Sequence, residues 1–477
     1  MTTTTALGTH ALQTLLGEWR HGGVAHIELA EKLNVLLIDG RVRSSTRLPA
    51  EREIARALGI SRTTVVSAYR LLRERGVLSS VQGSGSVLEL PDATRPADVS
   101  GPVDLDLSKA TPPAWPEVAD FAARALVRLP EHVARGGIDF LGAQELRQAI
   151  ADQYTAKGAP TTADNILVTL GAQHAIALIA RTLLGRADRV VVETPSYPHA
   201  LDAFLSAGAR LVASPLPLGG TDAPGLAETL RDARPALAYL IPDFHNPTGA
   251  SLRDDDRELL LTTAARTGTP LLVDETPADL DIDRPFTTTP FAALPSHGAT
   301  VITVGSMSKL IWSGLRIGWI RAERHLIERF ALARPAGDMG NGALDQLVAV
   351  EAMAHLPRIR EARRIELGAG RDTAVRLLSE LLPEWEVPTV NGGLALWIGL
   401  GAPLSSALSL AARSRGVTVT AGSRFGIDGA FERNLRIPIT GSNAALEEGI
   451  SRLAEVWSTL SPGSRWRSAA HETAFVV

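Results

Sequence analysis

Two patterns of apolar spacing divide this chain. Up to about residue 76, apolar residues recur every three or four positions; from Val103 onward, short β-branched runs alternate with alanine-rich stretches. In the first part, Ile27, Leu29, Leu33, Leu36 and Leu37 predict a helix that stops at Asp39-Gly40. A second helix is expected from near Pro49, a residue favoured in a first turn, through Ile54 and Leu58 to Gly59. Ser61 suits the N-cap of a third helix. There Val65, Ala68, Tyr69 and Leu72 share one face and leave Arg62, Thr63 and Val66 toward the exposed front. Between Val77 and Leu88, two short strands flank a Gly-Ser-Gly tip, the pattern of a β-hairpin. Two helices joined by a short glycine-containing turn make a helix-turn-helix, whose second helix fits the DNA major groove.

Residues 91–102 are proline-rich and polar and follow neither period. Residues 91–104 therefore read as a linker between a domain spanning 1–90 and a larger one spanning 105–465, with a tail at 466–477. Strand and helix alternate in the larger domain, which predicts an α/β fold with a mostly parallel sheet. Such sheets bind ligands at the carboxyl ends of their strands, so the residues just after each strand are the candidates for chemistry.

Lys309 stands between Ser306 and Ser308, with Arg316 seven positions on beside Gly314 and Gly318. A lysine amine can form a Schiff base with an aldehyde, and two hydroxyls with a guanidinium fork suit a phosphate. Upstream, the backbone amides of Gly171, Ala172 and Gln173 would open a helix toward a phosphate. Tyr197 offers a flat ring able to stack on a pyridine, and Asn246, in Asn-Pro-Thr-Gly, offers an amide donor. Asp274 ends an apolar strand in a carboxylate; a buried charge needs a partner, which a protonated pyridine nitrogen supplies. Taken singly, the Gly171 segment reads first as an ordinary strand-to-helix turn, and Tyr197 equally well as a core tyrosine.

Composition narrows the classes. At 477 residues, 45% hydrophobic and 21% charged, the chain can build two or three cores. It has no cysteine, which excludes disulfides and thiolate metal sites and suits a reducing compartment. Residues 1–5 carry no basic leader and no apolar run reaches bilayer length, so the expectation is a cytoplasmic protein with no membrane partner and no metal. Charge is uneven: from Arg41 to Gly76, nine arginines face three glutamates, a net of +6, which leaves −10 for the rest of a chain whose total is −4. A basic module on an acidic body points to a polyanion partner for that module.

The runs Leu48-Pro-Ala-Glu-Arg-Glu-Ile-Ala, Leu58-Gly-Ile-Ser-Arg-Thr-Thr-Val and Gly83-Ser-Gly-Ser resemble, in order, the winged helix-turn-helix of the GntR regulators over about residues 24–90. That resemblance implies DNA contacts from Arg52, Ser61, Arg62, Thr63, Gln82 and Gly83. From about 105 to 460, the order Gly171-Ala-Gln, Tyr197, Asn246, Asp274, Ser306, Ser308, Lys309, Arg316 resembles fold-type I aminotransferases, with a small C-terminal α/β domain. It implies pyridoxal 5'-phosphate held at these positions with Lys309 as its anchor. Arg436, in Asn434-Leu-Arg-Ile-Pro-Ile, would be the fork for a substrate or effector carboxylate; it also reads as a surface arginine on a strand. Two tyrosines usual in that family are missing: none follows Asp274, where Thr276 stands, and Phe140 replaces the one that reaches a neighbouring subunit's phosphate. The combination resembles the MocR subfamily. It implies a homodimeric transcription factor that senses pyridoxal phosphate or an amine or amino-acid effector; a working aminotransferase with an appended DNA-binding module is the alternative.

Overall fold

The apolar spacing of the first ninety residues builds a small helical domain. The computed structural model describes residues 5–17, 19–20, 24–38, 41–42, 46–74, 77–81, 85–88, 105–134, 136–427 and 429–460. Helices Thr9–Leu16, Ala25–Ile38, Glu51–Leu58 and Arg62–Glu74 enclose a core that includes Leu33, Leu36, Val65, Tyr69 and Leu72. Pro49 lies ahead of the Glu51–Leu58 helix rather than in its first turn, where its carbonyl accepts from Tyr69 Oη at 3.3 Å and fixes the entry. Ile27, expected on the buried stripe, is exposed, because it sits about 200° round the helix from Leu29. Strands Leu78–Val81 and Gly85–Leu88 pair antiparallel as the expected hairpin. Thr46–Arg47 and Thr5–Ala6 extend it into a four-stranded sheet. The strand Thr5–Ala6 and the helix Thr9–Leu16 were not anticipated; both are too short to show a clear period. Gln82 and Gly83 at the hairpin tip, the linker 91–104 and the tail 466–477 lie outside the described residues.

The larger domain is α/β, as its alternating pattern predicts. Its seven strands lie in the order Ile166–Thr169, Gly318–Arg321, Val301–Ser306, Leu271–Asp274, Leu237–Leu240, Arg189–Thr194, Arg210–Pro215. All run parallel except Gly318–Arg321, which is antiparallel to both neighbours. Central strands such as Leu271–Asp274 are buried along their whole length because helices cover both faces. The carboxyl edge of this sheet therefore collects Gly171, Asp274 and Ser306, and the turn between Ser306 and Gly318 crosses it.

A second sheet, Ala395–Gly399, Asn434–Pro438, Val417–Ala421 and Leu105–Leu107, forms the small domain with helices Ser405–Arg413 and Asn443–Leu460. Leu105–Leu107 pairs parallel with Val417–Ala421, so the chain enters the larger domain through the small one. The winged-helix domain packs its Ala25–Ile38 helix against Ser405–Arg413. Among the described residues, no helix is long and apolar enough to cross a membrane, and no cluster of side chains could hold a metal ion.

Candidate functional site

Strand ends and the small domain close around a cavity of about 560 Å³. Every residue expected to hold a cofactor or a carboxylate lines it: Gly171, Ala172, Gln173, Tyr197, Asn246, Asp274, Ser306, Ser308, Lys309, Arg316 and Arg436.

The end of the cavity at Gly171 is fixed by backbone. Gly171 caps the helix Ala172–Leu183 with φ 88°, a conformation that favours glycine, and a Cβ there would lie 3.0 Å from Arg316 Nη2. Gly318 meets the same turn from below: a Cβ would stand 2.6 Å from the Gly171 carbonyl carbon, so only glycine lets the antiparallel strand pass. Arg316 is itself left-handed (φ 53°), and its guanidinium donates to the Leu170 carbonyl at 2.8 Å. Beside it, Ser306 Oγ lies 3.0 Å from Ser308 Oγ. Free amides at a helix start, two hydroxyls and a guanidinium form a donor set that fits a phosphate.

Asp274 lines the same cavity. Its carboxylate is 5% exposed, accepts from Tyr239 Oη at 2.8 Å and from the Thr276 amide at 2.9 Å, and is raised in pKa by burial. A cationic ring nitrogen facing it would restore the ionised form. Lys309 Nζ donates to the Ala110 carbonyl at 3.0 Å. Burial, with the Arg436 cation nearby, lowers its pKa to about 8, so the neutral, nucleophilic amine is far more populated near neutrality than for an ordinary lysine. Tyr197 lines the same space, its hydroxyl pushed up to about 12 chiefly by burial and then by Asp274.

Arg436 is a buried cation with no carboxylate partner among the described residues. It is 8% exposed, and burial lowers its pKa to about 10. Its guanidinium donates to the Ser108 carbonyl and to Asn246 Oδ1 at 3.4 Å, its Nε has no partner, and the Phe425 ring centre lies 4.9 Å from Cζ. A buried guanidinium facing carbonyls and an arene rather than a carboxylate is suited to bind one. It is therefore no surface arginine. The residues present fit pyridoxal phosphate together with a ligand carboxylate.

Several supporting residues escaped the sequence. Arg334, fully buried, donates to the Val168 carbonyl at 2.7 Å and to Asn341 Oδ1 at 2.9 Å, and Asn341 donates to Thr169 and Arg316 carbonyls. Together they pin the Arg316 turn from 18 or more residues away along the chain. Tyr239, in mid-strand, reads simply as a β-former. Phe140 contributes its carbonyl, to Arg334, and no hydroxyl.

In the winged-helix domain, Arg52, Ser61, Arg62 and Thr63 are exposed together. Ser61 Oγ accepts from the Thr64 amide at 3.1 Å, the N-cap bond expected. Arg62 approaches Glu51 at 3.6 Å, as does Arg73 at 3.8 Å, so one carboxylate orders two arginines. Arg47, counted at the sequence level only as charge, joins Arg52 and Arg62 along a groove of about 680 Å³ between hairpin and recognition helix.

Comparison with known proteins agrees with both halves. Residues 107–453 match the family Aminotransferase class I and II, and residues 27–88 match Bacterial regulatory proteins, gntR family. The chain is 27% identical to the Uncharacterized HTH-type transcriptional regulator YisV of Bacillus subtilis, over 90% of this chain and 95% of that one. It is 30% identical to the Probable rhizopine catabolism regulatory protein MocR of Rhizobium meliloti, over 64% of this chain and 66% of that one. Among solved structures it is similar to LysN, an α-aminoadipate aminotransferase of Thermus thermophilus complexed with N-(5'-phosphopyridoxyl)-L-leucine, at TM-score 0.69 and 25% identity, covering 75% of this chain and 92% of that one. The chain belongs to the class I and II aminotransferase family, in the MocR-like form that carries a gntR-family helix-turn-helix at its amino-terminal side.

Proposed function

We propose that this protein is a DNA-binding transcriptional regulator whose aminotransferase-like domain holds pyridoxal phosphate at Lys309 and reads an amine or amino acid through it. When bound, the cofactor supplies an aldehyde that combines reversibly with amines. The chain's residues do the rest. The Gly171 turn, Ser306, Ser308 and Arg316 hold the phosphate; Asp274 keeps a proton on the ring nitrogen; Arg436 orients a carboxylate-bearing ligand. The observation that carries this reading is the meeting of Lys309 and the unpaired Arg436 in one cavity of a chain that also exposes Arg52, Arg62 and Arg47 along one groove.

Retention of Lys309 and Arg436 also favours the second reading, a working aminotransferase. Against it stands Thr276, which brings no phenol to the ring where the related enzymes have one. The reading as a homodimer is supported by apolar side chains left exposed: Val127 at 79%, Val133 at 70% and Ile138 at 60%. The deciding experiment measures affinity for DNA upstream of the protein's own gene with and without pyridoxal phosphate, alongside turnover of a panel of amino acids. Cofactor-dependent operator binding with negligible turnover supports the regulator; sustained transamination with no specific DNA binding would establish the enzyme instead.

A further inference from the structure

One continuous stretch touches both functional halves of the molecule. Residues 422–436 begin at the short helix Gly422–Phe425, whose Phe425 ring covers Arg436, and end at Arg436 itself. Midway lies Glu432, 14% exposed, whose Oε1 is 2.5 Å from Nζ of Lys32 in the winged-helix domain, 10% exposed. Arg41 approaches the same oxygen at 3.9 Å. Burial alone would raise the Glu432 carboxyl, but Lys32 and the Ser406 donors hold it below the usual range.

From this pair, polar contacts lead back to the cavity. Ser406 Oγ donates to Glu432 Oε1 at 2.7 Å and lies 3.1 Å from Ser423 Oγ, and Ser423 is the residue before Arg424 and Phe425. Arg424 crosses to the larger domain, bonding Asp202, and the Phe425 carbonyl accepts from the Ser196 amide at 2.8 Å. Ser405, Ser406 and Ser423 are all buried, and the Gly422 amide donates to Ser405 Oγ at 2.8 Å. A shift of residues 422–425 cannot be absorbed by solvent here. Gly422 is too close-packed to move alone, since a Cβ on it would lie 2.2 Å from the Asn434 carbonyl oxygen.

We propose that Ser423, Ser406, Glu432 and Lys32 form the relay by which occupation of the Arg436 cavity alters operator binding. This rests on the regulator reading and assigns its coupling to one path. A carboxylate drawn onto Arg436 displaces the Phe425 ring and the Ser108 carbonyl that now face it. Ser423 moves with Phe425, and the Glu432 carboxylate, shared between Ser406 and Lys32, changes its hold on the winged-helix domain. Coupling of this kind requires two sites and an element whose arrangement both ligands bias, and residues 422–425 with Glu432 supply that element.

The test compares operator affinity with and without N-(5'-phosphopyridoxyl)-L-leucine, which carries phosphate, ring and carboxylate in one molecule and so loads Arg316 and Arg436 together. The wild-type protein should show a change of about 5-fold or more. Glu432→Gln and Ser406→Ala should bind the probe with affinity within about 2-fold of wild type, yet show operator affinities that no longer depend on it. Lys32→Met should also lose the response while still binding the probe and, in its absence, the operator, which misfolding of the variant would not produce. A full response in Glu432→Gln or in Lys32→Met overturns the relay while leaving the regulator reading intact. A wild-type protein that binds the probe but shows no operator affinity at all overturns that reading, and the relay with it.

Discussion

Lys309 shows how burial prepares a side chain for chemistry at a cost to the fold. Its ammonium titrates near 10.5 in the unfolded chain and near 8 here, so the unfolded state binds more protons between these values. The folded-state pKa is depressed; the destabilisation is therefore fully present below about pH 8 and fades as pH rises toward 10.5. Lys309→Met should stabilise the cofactor-free protein at pH 7 by about 1–3 kcal/mol, and the gain should shrink by pH 10 in urea melts at the two pH values. Covalent uptake of pyridoxal phosphate, trapped with borohydride, should accelerate through a midpoint near pH 8 and vanish in Lys309→Ala. Arg436 is open to a matching test. Arg436→Met should weaken amino acids by about 2–4 kcal/mol while sparing amines without a carboxylate, as read by the visible spectrum of the bound cofactor. Equal losses for both classes would deny Arg436 the carboxylate.

Among elements, the antiparallel strand Gly318–Arg321 and the recognition helix Arg62–Glu74 are the most exposed to single changes. Gly318→Ala puts a methyl against the Gly171 backbone, where neither strand nor helix start can yield without displacing the Gly171 and Ala172 backbone. Loss of pyridoxal phosphate affinity by more than about 10-fold, with an unchanged circular dichroism spectrum, is the expected outcome. At the recognition helix, Ser61→Ala removes the cap and should cost about 1 kcal/mol of domain stability. Arg52→Ala with Arg62→Ala should weaken operator binding and flatten its salt dependence by about two ion equivalents. An unaltered salt slope would remove both arginines from the DNA.

At the scale of the molecule, the exposed apolar side chains Val127, Val133 and Ile138 should decide assembly. Val127→Glu with Val133→Glu should shift the sedimentation of the protein from dimer to monomer, because a charge on each of two facing patches repels its counterpart and resists desolvation. Persistence of the dimer would move the interface elsewhere.

Much of this was legible along the chain because the information is local. A helical period, an N-cap serine and a glycine turn set the helix-turn-helix from Glu51 to Glu74, since backbone sterics and a stripe of apolar residues act over a few positions. Strand-end residues such as Gly171, Asp274 and Lys309 could be picked out for the same reason: a parallel sheet delivers whatever follows each strand to one edge. What the sequence could not assign are contacts whose partners lie far apart in it. Tyr239 on Asp274, Arg334 and Asn341 behind Arg316, the Ser108 and Ala110 carbonyls on Arg436 and Lys309, and Lys32 on Glu432 each join residues that no period relates. Their identities follow from burial, because a polar group withdrawn from water must find its partner in whatever the folded chain brings beside it. Local pattern therefore determined the elements and the chemistry they carry, and only the tertiary structure decided which groups hold that chemistry in place and how it touches the DNA-binding half.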